Sequence, residues 1–147
     1  MSQTEPIISL FMVDDNSLAA QAMERYLTVS GKFRWLGWSP DPVAAISQIA
    51  QAQPDVVLLD VEIPGSDCFV TLRALLSSRP LSRVVMFSGH AQSSLIDRAF
   101  QDGAAGYIVK DDPTPMIPQF LADAARGECV LSPTASSVYM RMTKGRA

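Results

Sequence analysis

The sequence predicts an α/β fold in which a parallel sheet is covered by helices on both faces. Three observations point there. Short apolar runs recur at residues 7–13, 56–59, 84–87 and 107–109, with a less regular run at 33–38. None alternates polar with apolar residues, so both faces of each strand are expected to be buried, as in a parallel sheet between helical layers. Between the runs lie segments with helical spacing, giving strand then helix five times over, with right-handed crossovers.

Residues 7–13 form the first strand, and Leu18, Ala19, Ala22, Met23, Tyr26 and Leu27 make the expected buried stripe of the helix behind it. Residues 33–38 form the second, weaker strand, in which Trp35 and Trp38 read as core or half-buried packing, with exposure of one of them left open and neither clearly near a site. Asp41 followed by Pro42 marks the next helix start, with Asp as cap and Pro in the first turn, and Pro54 lies beyond its end. After the third strand, 56–59, Cys68, Leu72, Leu75 and Leu76 form a helical stripe. After the fourth, 84–87, Leu95, Ile96, Ala99 and Phe100 repeat it, with Gly103 placed to end that helix. The fifth strand is 107–109. Pro118 would remove a hydrogen bond from a helix begun at Pro115, so the regular part is expected from Pro118, burying Phe120, Leu121, Ala124 and Ala125. Residues 1–128 read as the domain. Residues 129–147, with a helix-start signal at Ser132-Pro133, read as a linker or short extra helix.

A chain of 147 residues is sufficient for one domain and one core. A net charge of −3 gives no basic footprint for nucleic acid. The stretch 7–13 is too short for a membrane span or a signal-peptide core. Cys68 and Cys129 have no metal-ligand spacing and suggest no disulfide framework. They read as two reduced thiols in a cytoplasmic protein.

In an open parallel sheet, ligands bind beyond the carboxyl ends of the strands. The first run ends in Asp14-Asp15, the third in Asp60, the fourth in Ser88 and the fifth in Lys110. Carboxylates crowded there repel one another and lose hydration, and a bound cation relieves both penalties. With oxygen ligands and no His or Cys nearby, a hard ion is expected: Mg²⁺ first, then Mn²⁺ or Ca²⁺. A carboxylate beside such an ion can attack phosphorus to give an aspartyl phosphate, while a lysine and a hydroxyl contact the phosphoryl oxygens. Taken singly, each of these residues is also an ordinary turn, cap or surface residue. His90 reads as a loop residue.

Together they carry a resemblance. Phe11-Met12-Val13-Asp14-Asp15-Asn16, Asp55-Val56-Val57-Leu58-Leu59-Asp60 running into Ile63-Pro64-Gly65, Val84-Val85-Met86-Phe87-Ser88, and Gly103 through Gly106-Tyr107-Ile108-Val109-Lys110 resemble the CheY-like receiver domain of two-component response regulators. The resemblance spans residues 5 to 128 and implies a flavodoxin-like, doubly wound five-stranded sheet of order 2-1-3-4-5. It implies Asp60 as phosphoacceptor and Asp15 as a direct Mg²⁺ ligand. Asp14 would act largely through water, and Glu62 through its backbone carbonyl, with its side chain toward the mouth of the site. Lys110 and Ser88 would contact the phosphoryl group, and Tyr107 would be the aromatic switch that turns inward when Ser88 moves. The implied partner is a sensor histidine kinase or phosphotransfer protein, with a homodimer as a further state.

Residues 106–110 and 127–133 look most like the NarL/FixJ branch, which commonly attaches a DNA-binding helix-turn-helix. The chain stops at Ala147, too soon for one, so a stand-alone receiver or an excised piece is expected, with nucleic acid reached only through a further domain. Ser at 88, Ile63, and Asp after Lys110 depart from the commonest pattern without removing a needed chemical group. Two other readings compete. A haloacid-dehalogenase-like phosphatase uses similar groups but places its nucleophilic Asp before its acidic pair, and here the pair comes first. A receiver-like module that takes no phosphate would lack an acid or the Lys, and all are present. The expected protein is a switch rather than an enzyme, with at most slow self-dephosphorylation.

Overall fold

The computed structural model describes residues 6–78 and 81–144; the outermost residues of both expected segments, 1–5 and 145–147, lie outside the described residues. In chain order it contains β1 (Ile8–Val13), α1 (Ser17–Thr28), β2 (Phe33–Ser39), α2 (Pro42–Ala52), β3 (Val56–Asp60), α3 (Cys68–Ser78), β4 (Arg83–Ser88), α4 (Ser93–Gln101), β5 (Gly106–Val109), a 3₁₀ turn (Thr114–Met116), α5 (Ile117–Ala125), β6 (Val130–Leu131) and α6 (Pro133–Lys144). The sheet runs β2-β1-β3-β4-β5-β6, and each adjacent pair is parallel.

The order implied for the first five strands is the one observed, but the sheet is six-stranded rather than five-stranded. Val130 and Leu131 pair with Gly106 and Tyr107 in a strand too short to register as an apolar run in the sequence. Residues 129–147, expected as a linker or short extra helix, thus hold a strand and the 12-residue α6. That helix returns over β5 to pack on α4. Ala135 is fully buried, and the Tyr139 ring meets Phe100 edge-on at 6.0 Å.

Two apolar layers sandwich the sheet. Ala45 and Ile49 of α2, Leu72 and Leu75 of α3, and Ile96 and Ala99 of α4 close one face. Ala20 and Leu27 of α1, with Ile117, Leu121 and Ala124 of α5, close the other. The starts follow the sequence. Asn16 accepts from the Leu18 and Ala19 amides to cap α1, and Asp41 accepts from the Val43 amide ahead of Pro42 in α2. The α5 helix begins at Ile117 with Pro118 in its first turn, where a missing N–H goes unnoticed. The α1 stripe differs from expectation. Leu18, Ala22 and Tyr26 face solvent, while Ala20, Met23 and Leu27 turn inward. Residues of α1 satisfy the helical period on two faces, and periodicity cannot choose between them.

In β2 the pairing passes from Leu10↔Trp35 to Phe11↔Gly37, leaving Leu36 as an extra residue in a β-bulge. Gly37 is required there: a Cβ would lie 2.8 Å from the Phe11 ring.

Candidate functional site

The register aligns the ends of four strands. Val13 pairs with Leu59, Asp60 with Phe87, and Ser88 with Val109, so Asp14, Asp60, Ser88 and Lys110 emerge at one sheet edge. Backbone bonds fix the exits: the Lys110 amide donates to Ser88 O at 2.7 Å and the Val61 amide to Phe87 O at 3.1 Å.

Asp14 is 1% exposed and Asp60 3%, whereas Asp15 is exposed. One carboxylate oxygen from each of these three lies within 4.8 Å of the others. Asp14 Oδ1 accepts the Asn16 amide at 2.9 Å, and Asp60 Oδ1 accepts the Glu62 amide at 3.0 Å. The Lys110 ammonium stands 3.4 Å from Asp60 Oδ1 and 3.8 Å from Asp14 Oδ2, its Nζ 5.4 Å from the Phe87 ring centroid. Asp14 Oδ2 is buried without a hydrogen-bond partner. Burial, then the negative charge of Asp60, pushes the Asp14 carboxyl above the usual carboxylate range, against the pull of the Asn16 amide and Lys110. A buried, unsatisfied carboxylate oxygen facing two further carboxylates fits a hard, oxygen-preferring cation.

Beside this cluster Ser88 is fully buried. Its hydroxyl donates to Glu62 Oε1 at 3.0 Å and accepts the His90 amide at 3.0 Å. The Gly89 amide reaches the same Glu62 oxygen at 3.1 Å, and His90 Nε2 lies 3.7 Å from it. The Glu62 side chain, 42% exposed, therefore sits at the mouth and also grips the β4 exit. Tyr107 is fully buried and inward, its hydroxyl donating to the His90 carbonyl at 2.8 Å; burial pushes that hydroxyl above its usual pKa.

The structure brings together Asp14, Asp15, Asp60 and Lys110, and links Ser88 to Glu62. Two contributors were not legible in the sequence as site residues. One is the Gly89 amide. The other is Trp38, which the sequence marks only as packing and whose indole N–H donates to the Asp14 carbonyl at 2.7 Å. The glycine before it was the available signal. Cys68 is buried and Cys129 exposed, both as free thiols, and burial raises the Cys68 thiol to about 11. Among the described residues no helix is long and apolar enough to cross a membrane.

Comparison with known proteins agrees with this geometry. The probable transcriptional regulatory protein NarL of Mycobacterium tuberculosis is 33% identical over 135 residues, covering 91% of this chain and 62% of that protein. A protein-glutamate methylesterase/protein-glutamine glutaminase of Pseudomonas savastanoi is 35% identical over 121 residues, 80% of this chain but 33% of its own length. The chain thus spans less than two thirds of these relatives. Among solved structures, the signal receiver domain of the M. tuberculosis NarL matches with a TM-score of 0.78 and 31% identity, covering 84% of this chain and 100% of that one. A LuxR-family response regulator from Aurantimonas shares the fold at a TM-score of 0.89 and 20% identity, over 94% of this chain and 99% of its own. The family model for the response regulator receiver domain matches residues 10–120, from β1 into α5, and the chain belongs to that family.

Proposed function

We propose that this chain is a phosphorylation-driven switch in which Asp60 accepts a phosphoryl group from the phosphohistidine of a sensor kinase or phosphotransfer protein. The observation that carries this reading is the meeting of Lys110 with Asp60 and Asp14 at the buried end of the sheet, next to Ser88. An Asp60 oxygen forms the new bond to phosphorus while the phosphorus–nitrogen bond breaks, its electron pair staying on the donor imidazole. Mg²⁺ held by Asp14, Asp15, Asp60 and the Glu62 carbonyl would neutralise charge on the transferring oxygens. Lys110 pairs with the phosphoryl group, and Ser88 exchanges Glu62 for a phosphoryl oxygen as its acceptor. Asp60 lies within the region matched by the family model, which supports transfer of the family's roles position by position.

Tyr107 is already inward while Ser88 holds Glu62, so the change left to Ser88 is its exchange of acceptor. The face formed by α4, β5 and α5 is the output surface, used for homodimer contact or for release of an attached domain. Transcriptional control is the output suggested by the NarL relative, and the NarL/FixJ resemblance would have it exerted through a DNA-binding domain. The cellular location proposed is the cytoplasm, and the chain itself catalyses no more than slow loss of its own phosphoryl group.

Acetyl phosphate with Mg²⁺ should add one phosphoryl group by intact mass. Asp60→Asn or excess chelator should abolish the product. Equal labelling of the Asn variant would overturn the assignment.

A further inference from the structure

We infer that Trp38 is a positioning residue for the acidic pair: its indole N–H pins the Asp14–Asp15 peptide so that both carboxylates are held toward one cation. The inference rests on the phosphoacceptor reading only for the identity of that cation as Mg²⁺.

The argument begins in β2. In a regular strand, residues three apart point to opposite faces. Yet Trp35 and Trp38 both pack on the core layer formed with α1 and α5. The bulge at Leu36 makes this so, shifting the register by one residue between Trp35 and Gly37. Gly37 lets the shifted strand pass over the Phe11 ring, where a Cβ would be 2.8 Å from a ring carbon. Trp38 then pairs with Met12, two residues before Asp14.

The indole replaces a missing rung. The Asp14 amide donates to Ser39 O at 3.1 Å, which continues the β1–β2 ladder past its last pair. In a parallel ladder the Asp14 carbonyl would next accept from the amide of residue 41. The Asp41 amide instead donates to Ser39 Oγ at 3.2 Å, as the chain turns into α2, and Pro40 has no N–H to offer. The Asp14 carbonyl is taken by the Trp38 indole, at 2.7 Å and 24 residues away in sequence.

That carbonyl belongs to the peptide joining Asp14 to Asp15. Rotation of the peptide would swing the two carboxylates apart, and their mutual repulsion with Asp60 favours such a swing. The indole bond opposes it. A strand that ended without the bulge would place residue 38 on the other face, and the peptide would be free.

Calorimetric titration with Mg²⁺ and two-dimensional NMR of indole N–H signals test this on the whole chain. Trp38→Phe keeps an aromatic ring on the core and removes the N–H donor, together with part of the indole's volume. Its Mg²⁺ affinity should fall by about three- to tenfold, the effect of one lost hydrogen bond. Trp35→Phe should leave the affinity unchanged. In the native chain the Trp38 indole signal should shift with Mg²⁺ and saturate with the calorimetric constant, while the Trp35 signal stays fixed. A Trp38→Phe chain that melts earlier in chelator yet binds Mg²⁺ as tightly as the native chain has lost packing only, which overturns the proposal. An indole signal indifferent to Mg²⁺ overturns it as well. If acetyl phosphate fails to label Asp60 while Trp38→Phe still weakens Mg²⁺ binding, the phosphoacceptor reading fails and the positioning role stands.

Discussion

The Ser88 hydroxyl donates to Glu62 Oε1 across 3.0 Å, and the Gly89 amide meets the same oxygen at 3.1 Å. A hydroxyl and a backbone amide converging on one anionic oxygen are the donors that a phosphoryl oxygen on Asp60 would need. Glu62 thus competes for them. A hydrogen bond to a charged group is worth about 1.5–3 kcal/mol, enough to matter but not enough to block exchange. Glu62→Ala should therefore retain acceptance of phosphate from acetyl phosphate and lengthen the lifetime of the phosphorylated form severalfold. Glu62→Gln, which still accepts, should fall between. Release of inorganic phosphate at fixed Mg²⁺ measures this, and equal rates in all three chains would show that the contact has no kinetic role.

Asp14 carries a different consequence. Its Oδ2 is buried without a hydrogen-bond partner, and its carboxyl is pushed up by burial and then by Asp60. Stability from a group with a raised pKa is present at acid pH and lost as pH rises through the folded value, so at neutral pH the charged Asp14 is a strain on the fold. Asp14→Asn should raise the melting temperature in chelator by about 2–4 °C, corresponding to roughly 1 kcal/mol. Added Mg²⁺ should stabilise the native chain more than the variant. A variant that melts lower in chelator would mean that the Lys110 contact outweighs the repulsion.

The third prediction concerns α6. Its first turn is capped from a distance: Asp112 accepts the Thr134 amide at 2.9 Å and the Thr134 hydroxyl, while Ser132 Oγ accepts the Val109 amide at 2.8 Å. The helix is thereby tied to the loop that leaves Lys110. Asp112→Ala should loosen it by about 1 kcal/mol, as other cap losses do, with faster amide exchange across 133–139. Partial burial raises the Asp112 carboxyl, and hydrogen bonds from Ser132 and Thr134 outweigh this, leaving it below its ordinary value. Its contribution is present above the unfolded pKa, about 3.9, and is lost as pH falls through the lower folded value. Protection of the α6 amides, taken relative to their intrinsic exchange rates at each pH, should therefore be flat through mildly acidic pH and fall only below about pH 4. Unchanged exchange in Asp112→Ala would remove the cap from the account.

Much of this architecture is legible in the sequence because the strands are buried on both faces and read as apolar runs. Val56 through Leu59 are all fully buried, and the polar residue closing each run marks the sheet edge. The acidic pair, Asp60, Ser88 and Lys110 were found that way. What stayed hidden depends on the third dimension. The Glu62–Ser88 contact joins residues 26 apart in sequence, and the two-residue β6 has no period to detect. Trp38 reads as packing and does pack on the core, but its bond to Asp14 stays hidden because the spacing of residues does not reveal the bulge that turns both tryptophans to the same layer. In α1, Leu18 is 73% exposed although it fits the helical spacing, since Ala20 and Leu27 fit it too and win the core.

The bulge in β2 has one more effect. Strands at the margins of a sheet offer unpaired N–H and C=O groups to any neighbouring chain, and long flat ones seed aggregation. Here β2 is broken by an extra residue and carries the exposed Arg34. At the opposite margin β5 is covered by β6, seated so tightly that Gly106 has no room for a Cβ beside Val130. The β6 strand in turn pairs over only two residues before Ser132 and Pro133. Neither margin presents a straight row of free backbone groups among the described residues. Two copies of this chain should therefore meet through their helices, and their sheets should not merge into one ladder.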